Sequence, residues 1–411
     1  MSEDLAPALW NLARGARWFA GRSRGGRPDG VTLGAWLTDP SSGIGVRSAV
    51  LDVQFDSGER EHYHVPLAFR PLGDEVAPEL ARVDIDGTAF SIGELCDDPA
   101  AAGVLLTLLA NDAPGFQRWG DVPTGLQARR FTGEQSNTSL FFGDALMCKV
   151  FRRLEDGPNV DVELHAALAG TGAVAEIHGA WRTGDTDLAI FTEALRNPED
   201  AFDLAVENAR GGGSFGSQAR GLGATLARVH ATLADRLPTD ATNGAGLADT
   251  LSRRFEAAAV EAPEIDGFRD AIRQTWAKLP DSLATQRIHG DCHLGQVLLS
   301  GNEWRYVDFE GEPLKTIAER REPDSPWRDV AGMLRSFDYA AAAGEATPAW
   351  LAEARDAFLD GYGTPGDQER GLLAAFEADK AVYEVIYERR NRPHLIHVPI
   401  DSLNRLAGET R

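Results

Sequence analysis

Ile288-His289-Gly290-Asp291-Cys292-His293-Leu294-Gly295-Gln296, followed twelve residues after Gln296 by Asp308-Phe309-Glu310, is the stretch on which the reading of this chain turns. Between its two parts, Val297-Leu298-Leu299, Ser300-Gly301-Asn302 and Trp304-Arg305-Tyr306-Val307 have the pattern of strand, turn and strand. A hairpin returns the chain on itself, so Asp291 and Gln296 before it and Asp308 after it are expected at one end. Two carboxylates and an amide so placed suit magnesium-dependent phosphoryl transfer, in which the protein mainly positions groups and neutralises charge. Asp291 is the candidate to take the proton of an attacking hydroxyl, and Gln296 with Asp308 to hold the metal. Singly, each Asp reads better as a solvated turn residue, and Asp-Phe-Glu by itself occurs by chance. The ordered motif with an interposed hairpin is what carries the signal.

Outward from this motif, 411 residues predict two or three packed units, and 43% hydrophobic with 25% charged residues is ordinary for a globular enzyme. A formal charge of -22 argues against a general nucleic-acid binder, because phosphate contacts need clustered Lys and Arg. Basic pairs gather at Arg320-Arg321 and Arg389-Arg390, where an anionic ligand has a place to sit. Cys96, Cys148 and Cys292 form no zinc or redox spacing and suggest a reducing compartment, with Cys292 read as a small buried residue. No run of about eighteen apolar residues and no signal-like N-terminus is present, so the expectation is a cytoplasmic protein with no membrane and no nucleic-acid partner.

The periodicity predicts an α+β chain. A helix is expected over 4–19, a hairpin over 46–55 and 62–69 around Asp56-Ser57-Gly58, and a helix over 96–112 closed by Pro114-Gly115. Strands at 127–132, 138–142, 145–151, 174–181 and 187–193, with a helix at 160–169, make a sheet of about five strands. Beyond residue 200 the pattern is mostly helical. The glycine run Arg210-Gly211-Gly212-Gly213-Ser214-Phe215-Gly216 precedes a helix at 217–236 without the strand a phosphate loop requires, so it reads as a connection.

Two features in the sheet region suit a nucleotide. Glu134-Gln135-Ser136-Asn137-Thr138-Ser139 is small and polar between strands, and its hydroxyls and amides suit phosphates. Lys149, flanked by apolar residues in Met147-Cys148-Lys149-Val150-Phe151, needs a partner if buried, and Glu163 on the next helix is expected to supply it. That pair would set Lys149 on the α- and β-phosphates; the alternative is an edge-strand lysine snorkelling to water. Glu193, Ala194 and Leu195 end the sheet and form a hinge whose backbone groups suit an adenine ring.

Taken in order, Lys149, Glu163, the hinge, His289-Gly290-Asp291-x-His293-x-x-Gln296 and Asp308-Phe309-Glu310 resemble the aminoglycoside-phosphotransferase and protein-kinase-like superfamily. A closer likeness is to actinobacterial maltokinases. It rests also on Arg17-Trp18-Phe19-Ala20-Gly21, on the run from Glu134 to Ser139, and on Asp308 to Pro313. Pro323-Asp324-Ser325-Pro326, Arg328-Asp329-Val330-Ala331-Gly332 and Asp379-Lys380-Ala381-Val382-Tyr383-Glu384 complete it. The resemblance implies a bilobal protein-kinase-like fold with an N-terminal α+β cap (1–90), an intermediate domain and kinase N-lobe (91–195) and a mainly helical C-lobe (196–411). It also implies ATP, magnesium, a small-molecule sugar acceptor and a monomer or homodimer. By position, Asp291 is the base, Gln296 and Asp308 bind metal, Glu310 adds a metal or substrate contact, and Ser136, Asn137 and Thr138 join the ATP site.

The likeness to maltokinases breaks where sugar specificity is set. Their C-terminal pattern carries a Trp that this chain replaces in Arg392-Pro393-His394-Leu395-Ile396-His397-Val398-Pro399, and the segment Asn197 to Asp203 also lacks one. Fewer aromatic platforms imply a smaller sugar than maltose. A related actinobacterial group phosphorylates glucosamine, largely a cation at neutral pH, which implies carboxylates in its site. Glu384 and Glu388, four apart on one helical face, are candidates, with His293, Arg321, Tyr383 and Tyr387 as further sugar contacts. Maltose, an aminoglycoside, and a catalytically silent sugar or nucleotide sensor are the alternatives to a glucosamine 6-phosphate product.

Overall fold

Alternation of apolar and polar residues either side of Asp56-Ser57-Gly58 produces an antiparallel pair, β2 (Gly45–Phe55) and β3 (Arg60–Pro71), in which Gln54 faces Arg60. This pair organises the first of two compact units, residues 1–163 and 175–196. The computed structural model describes residues 2–74, 78–133, 136–312 and 315–409; Glu134, Gln135 and Pro313 lie outside the described residues. Strand β1 (Gly26–Thr38) adds to β2, and β4 (Glu79–Ile85) and β5 (Thr88–Glu94) extend the sheet in the order β1-β2-β3-β5-β4. Helix α1 (Ser2–Gly15) packs Leu5, Leu9 and Ala13 on this sheet against Val65, Leu51 and Phe69. The expected helix to residue 19 stops at Gly15; Trp18 and Phe19 follow it as buried turn residues of the same core.

The second sheet of this unit has six strands where five were expected. β6 (Phe116–Arg118) adds to β7 (Ala128–Arg130), β8 (Thr138–Phe142), β9 (Leu146–Val150), β11 (Ile177–Thr183) and β12 (Thr186–Glu193), in the order β6-β11-β12-β9-β8-β7. The short β10 (Arg153–Leu154) crosses back to pair with β3. Helix α2 (Pro99–Ala110) starts three residues after the expected 96, because Asp98 accepts from the backbone N–H groups of Ala100 and Ala101 at 3.0 Å each and Pro99 has no N–H to lose.

Arg152, with no exposed surface, joins the two sheets of this unit. It pairs with Glu94 at the end of β5, donates to the His64 carbonyl of β3 at 3.2 Å and to Thr138 Oγ1 of β8 at 2.8 Å, and lies over the Trp18 ring at 4.9 Å. A fully buried guanidinium is tolerated only because its donors are met by a carboxylate and oxygens.

The second unit, residues 164–174 and 197–411, is largely helical. The glycine run ends helix Ala201–Gly211 in a left-handed Gly212 and leads straight into helix Gly216–Arg236, as expected of a connection. A core of Leu251, Phe255 and Trp276 packs on Ala375, Ala378, Val382 and Val385 of the long helix Asp367–Asn391 and on Leu403 of the last helix, His397–Glu409. Besides helix it holds the expected hairpin, Val297–Ser300 with Glu303–Tyr306, which the short strand Glu199–Asp200 extends, and a two-stranded sheet not expected from sequence, Asp240–Asn243 with Ser282–Thr285. Among the described residues no helix is long and apolar enough to cross a membrane.

Candidate active site

The hairpin sets the register of the site. Val297 faces Tyr306 and Ser300 faces Glu303 around Gly301 and Asn302. One step beyond the last pair, the Val307 N–H donates to the Gln296 carbonyl at 3.0 Å. That bond brings the next residue, Asp308, beside Gln296, whose Nε2 lies 3.5 Å from Asp308 Oδ2. Asp308 itself has φ of +62°, a left-handed conformation that a non-glycine residue adopts only when its surroundings hold it. Asp308 and Glu310 offer carboxylate oxygens within 4.8 Å of each other, and Arg320 donates to the Glu310 carbonyl at 3.1 Å.

On the other side of the hairpin, a residue that sequence reading passed over holds the Asp291 loop. Asp329, buried in the first turn of helix Pro326–Ala343, accepts the N–H of His289 at 2.7 Å, the N–H of Gly290 at 2.9 Å and Nε2 of His230 at 3.0 Å. Burial opposes ionisation of this carboxyl, but the hydrogen bond and charge of His230, aided by His289 and the Gly290 amide, hold it below the usual range. Gly290 turns at φ +85°, and a side chain there would press on Gly311. His289 spans to the Val307 carbonyl at 2.9 Å through Nε2, which makes Nδ1 the acceptor of the Asp291 N–H at 3.4 Å. Its ring packs on Phe309 at 4.6 Å. Asp329 was visible in sequence only inside a string of family likeness; nothing local marked it as a loop anchor.

Asp291 keeps a quarter of its side chain exposed, and Lys380 of the long helix lies 4.0 Å from its Oδ1. His293 is half-buried, and burial pushes its imidazole below the ordinary value despite the opposing charge of Asp291. Cys292 is buried and its thiol is pushed well up by burial, which fits a packing residue and not a nucleophile. Cys96 and Cys148 are likewise buried and unbridged.

The expected sugar contacts divide between surface and interior. Tyr383 and Tyr387 are 43% and 42% exposed and stack at 6.5 Å on one face of the long helix. The Tyr383 hydroxyl is pushed up by burial and by the charges of Glu312 and Asp291, which places it in their field. Glu384 and Glu388 face inward. Glu384 receives Arg335 at 2.6 and 2.9 Å, while Glu388 accepts from the Tyr339 hydroxyl at 3.0 Å and from Arg392 at 2.6 Å. Arg321 ends the short helix Ile317–Arg321, half-buried, with its carbonyl accepting from Arg287 at 2.7 Å. Arg389 and Arg390, offered as an anion site, are paired with Glu264 and Glu261 at 2.6 Å.

In the first unit, Lys149 Nζ meets Asp161 Oδ2 at 2.9 Å, with the lysine 14% and the aspartate 3% exposed. The expected partner, Glu163, is two residues on in the same helix, Val160–Leu168. The lysine therefore does not snorkel. Of the polar loop, Ser136 is exposed, while Asn137 Oδ1 accepts the Arg152 N–H at 3.1 Å and Thr138 accepts its Nε. At the hinge, the N–H groups of Glu193 and Ala194 donate to Glu176 and Ala145 at 2.7 and 2.9 Å, and Leu195 is half-buried.

With this geometry established, comparison with known proteins gives a consistent answer. Residues 212–376 match the model of a phosphotransferase enzyme family. Over 317 residues the chain is 28% identical to a glucosamine kinase of Streptacidiphilus jiangxiensis, covering 67% of this chain and 72% of that one. A glucosamine kinase of Mycolicibacterium smegmatis is 26% identical over 343 residues, covering 73% and 86%. Among solved structures, a glucosamine kinase in complex with glucosamine, ADP and inorganic phosphate superposes with a TM-score of 0.71 at 22% identity, over 96% of this chain and 98% of that one. A glucosamine kinase in crystal form A gives 0.70 at 24% identity, over 92% of each chain. The fold is thus the kinase-like one the sequence implied.

Proposed function

We propose that this chain, which matches the phosphotransferase enzyme family over residues 212–376, is an ATP-dependent sugar kinase that phosphorylates glucosamine, giving glucosamine 6-phosphate. The observation that carries the reading is the approach of Gln296 to Asp308 at one end of a hairpin, with the Asp291 loop clamped by Asp329 and tied to Val307 of the hairpin through His289. A carboxylate held this way is preorganised to act on an acceptor hydroxyl. Asp291 takes the hydroxyl proton, the freed oxygen bonds to the γ-phosphorus, and the bond from that phosphorus to the bridging oxygen breaks to release ADP. Lys149, fixed by Asp161, is assigned to the α- and β-phosphates, with the loop from Ser136 to Thr138 and the hinge from Glu193 to Leu195 as further nucleotide contacts.

Magnesium fits the donor set. Asp308 and Glu310 supply hard carboxylate oxygens within 4.8 Å of each other, and Gln296 presents its amide to Asp308. When bound, the ion neutralises charge on the transferred phosphates. The role of this chain's residues is to hold those oxygens in place, which the left-handed Asp308 and the Gln296–Val307 bond do.

For the acceptor, Tyr383 and Tyr387 offer an aromatic platform, and His293 and Arg321 are assigned to hydroxyls. Glu384 and Glu388 would reach a sugar only by giving up Arg335 and Arg392, so we assign the acidic field over the platform to Asp291 and Glu312. The test is incubation with ATP and Mg²⁺ plus glucosamine, maltose, glucose or kanamycin separately, with products identified by NMR. Glucosamine 6-phosphate is expected; a product from maltose alone would overturn the sugar assignment. Nucleotide binding with no transfer to any of them would make the chain a sensor.

A further inference from the structure

The ammonium of Lys380 has no place in the assignments above, yet among the described residues it is the one cation within ion-pair reach of the Asp291 carboxylate, 4.0 Å from Oδ1. We propose that Lys380 is a positioning residue for Asp291: it holds Oδ1 and leaves the other oxygen directed at the acceptor hydroxyl. The proposal rests on the reading of Asp291 as the group that acts on that hydroxyl.

Three observations support it. First, the backbone beside this lysine is bare. A side chain at Gly332, on helix Pro326–Ala343, would place its Cβ 3.3 Å from Lys380 Nζ and would clash with the carbonyl of Cys292, so the bare backbone there lets both the Asp291 loop and the ammonium approach. Second, the residue type runs against composition. The chain uses four lysines against thirty-seven arginines, so an ammonium at this spot is not the default cation. A compact point charge with three rotatable donors suits a narrow gap that a planar guanidinium does not. Third, its helix is locked in register one turn away, where Glu384 is bound by the buried Arg335. The charge of Lys380 also reaches His293 and Glu384, which sets it among the groups around the Asp291 loop. At 4.0 Å the pair is loose, as such contacts commonly are before substrate tightens them.

The test is steady-state kinetics on the full chain with ATP, Mg²⁺ and glucosamine, following sugar phosphate and ADP in parallel. Variants are Lys380→Met, Lys380→Cys before and after alkylation with 2-bromoethylamine, and Lys380→Met in an Asp291→Asn background. The three native cysteines are buried, so the reagent selects the new thiol and rebuilds a lysine-like ammonium. Lys380→Met should lower kcat about thirtyfold while KM for ATP moves less than about twofold. Alkylation of the cysteine variant should regain about tenfold, and Lys380→Met should add nothing once Asp291 is Asn. Wild-type turnover in Lys380→Met, no rescue by alkylation, or an equal further loss in the Asp291→Asn background would each overturn the proposal. A chain that forms ADP but phosphorylates no sugar would defeat the sugar-kinase reading, and the ratio of ADP formation between wild type and Lys380→Met would still decide the role of Lys380. Absence of ADP formation would defeat both.

Discussion

The carboxylate of Asp329 accepts the backbone N–H of His289 at 2.7 Å across forty residues of sequence. With Gly290 on its other oxygen and His230 alongside, it fixes the turn from which Asp291 projects. Asp329→Ala should therefore cost about 3 kcal/mol of stability, because buried donors lose a charged acceptor, and should lower kcat as well. Denaturant unfolding and turnover measured on the same preparation check both.

The same residue predicts an acid dependence. Its folded pKa lies below the unfolded value, so it contributes stability that is fully present above the unfolded value, near 4, and is lost as pH falls through the folded one. Unfolding free energy measured from pH 6 downward should drop more steeply in the wild type than in Asp329→Asn.

Asp291→Asn should reduce kcat by about a thousandfold with little change in nucleotide affinity, because the carboxylate acts on the acceptor and not on ATP. Unchanged turnover would remove Asp291 from its assigned role.

Lys149 and Asp161 form a pair with little exposure. Asp161→Asn should raise KM for ATP about tenfold, since a misdirected ammonium no longer meets the phosphates, while KM for the sugar stays put. Nucleotide titration by calorimetry gives an independent check.

Arg335 and Glu384 are 1% and 11% exposed at the side chain. Arg335→Met alone strands a buried carboxylate, which burial already pushes upward in pKa, and should destabilise by about 4 kcal/mol. Adding Glu384→Met should recover most of that, as measured by urea midpoints with unchanged m-values.

Metal dependence follows from the oxygen donors at the hairpin. Chelation should abolish phosphate transfer, and Asp308→Asn should raise the Mg²⁺ concentration for half-maximal rate by at least about tenfold. A magnesium titration of both proteins at fixed ATP reads this directly.

Much of this arrangement was legible in sequence because it is local. The hairpin register, the turn at Gly301 and the approach of Gln296 to Asp308 follow from strand period and turn chemistry within about twenty residues. The cap hairpin was legible for the same reason. Strand β1 was not, since glycines and register shifts at Pro28/Gly30 and Leu33/Trp36 break its alternation. Glu384 and Glu388 read as carboxylates open to a cationic sugar because their partners, Arg335 and Tyr339, are forty-nine residues away in sequence. Asp329 and Lys380 were missed likewise: one binds the Asp291 loop and the other lies 4.0 Å from the Asp291 carboxylate, each from a separate helix, and no spacing rule links them.

Arg152 bears on how such a chain can be inherited. Its partners come from both ends of the first unit, Trp18, His64 and Glu94 on one side and Thr138 on the other. A recombination event that exchanged the N-terminal sheet without its matching arginine, or the arginine without its glutamate, would bury an unanswered charge. The N-terminal hundred residues and the strand bearing Lys149 should therefore travel between genomes as one block, however separable they look on a domain map.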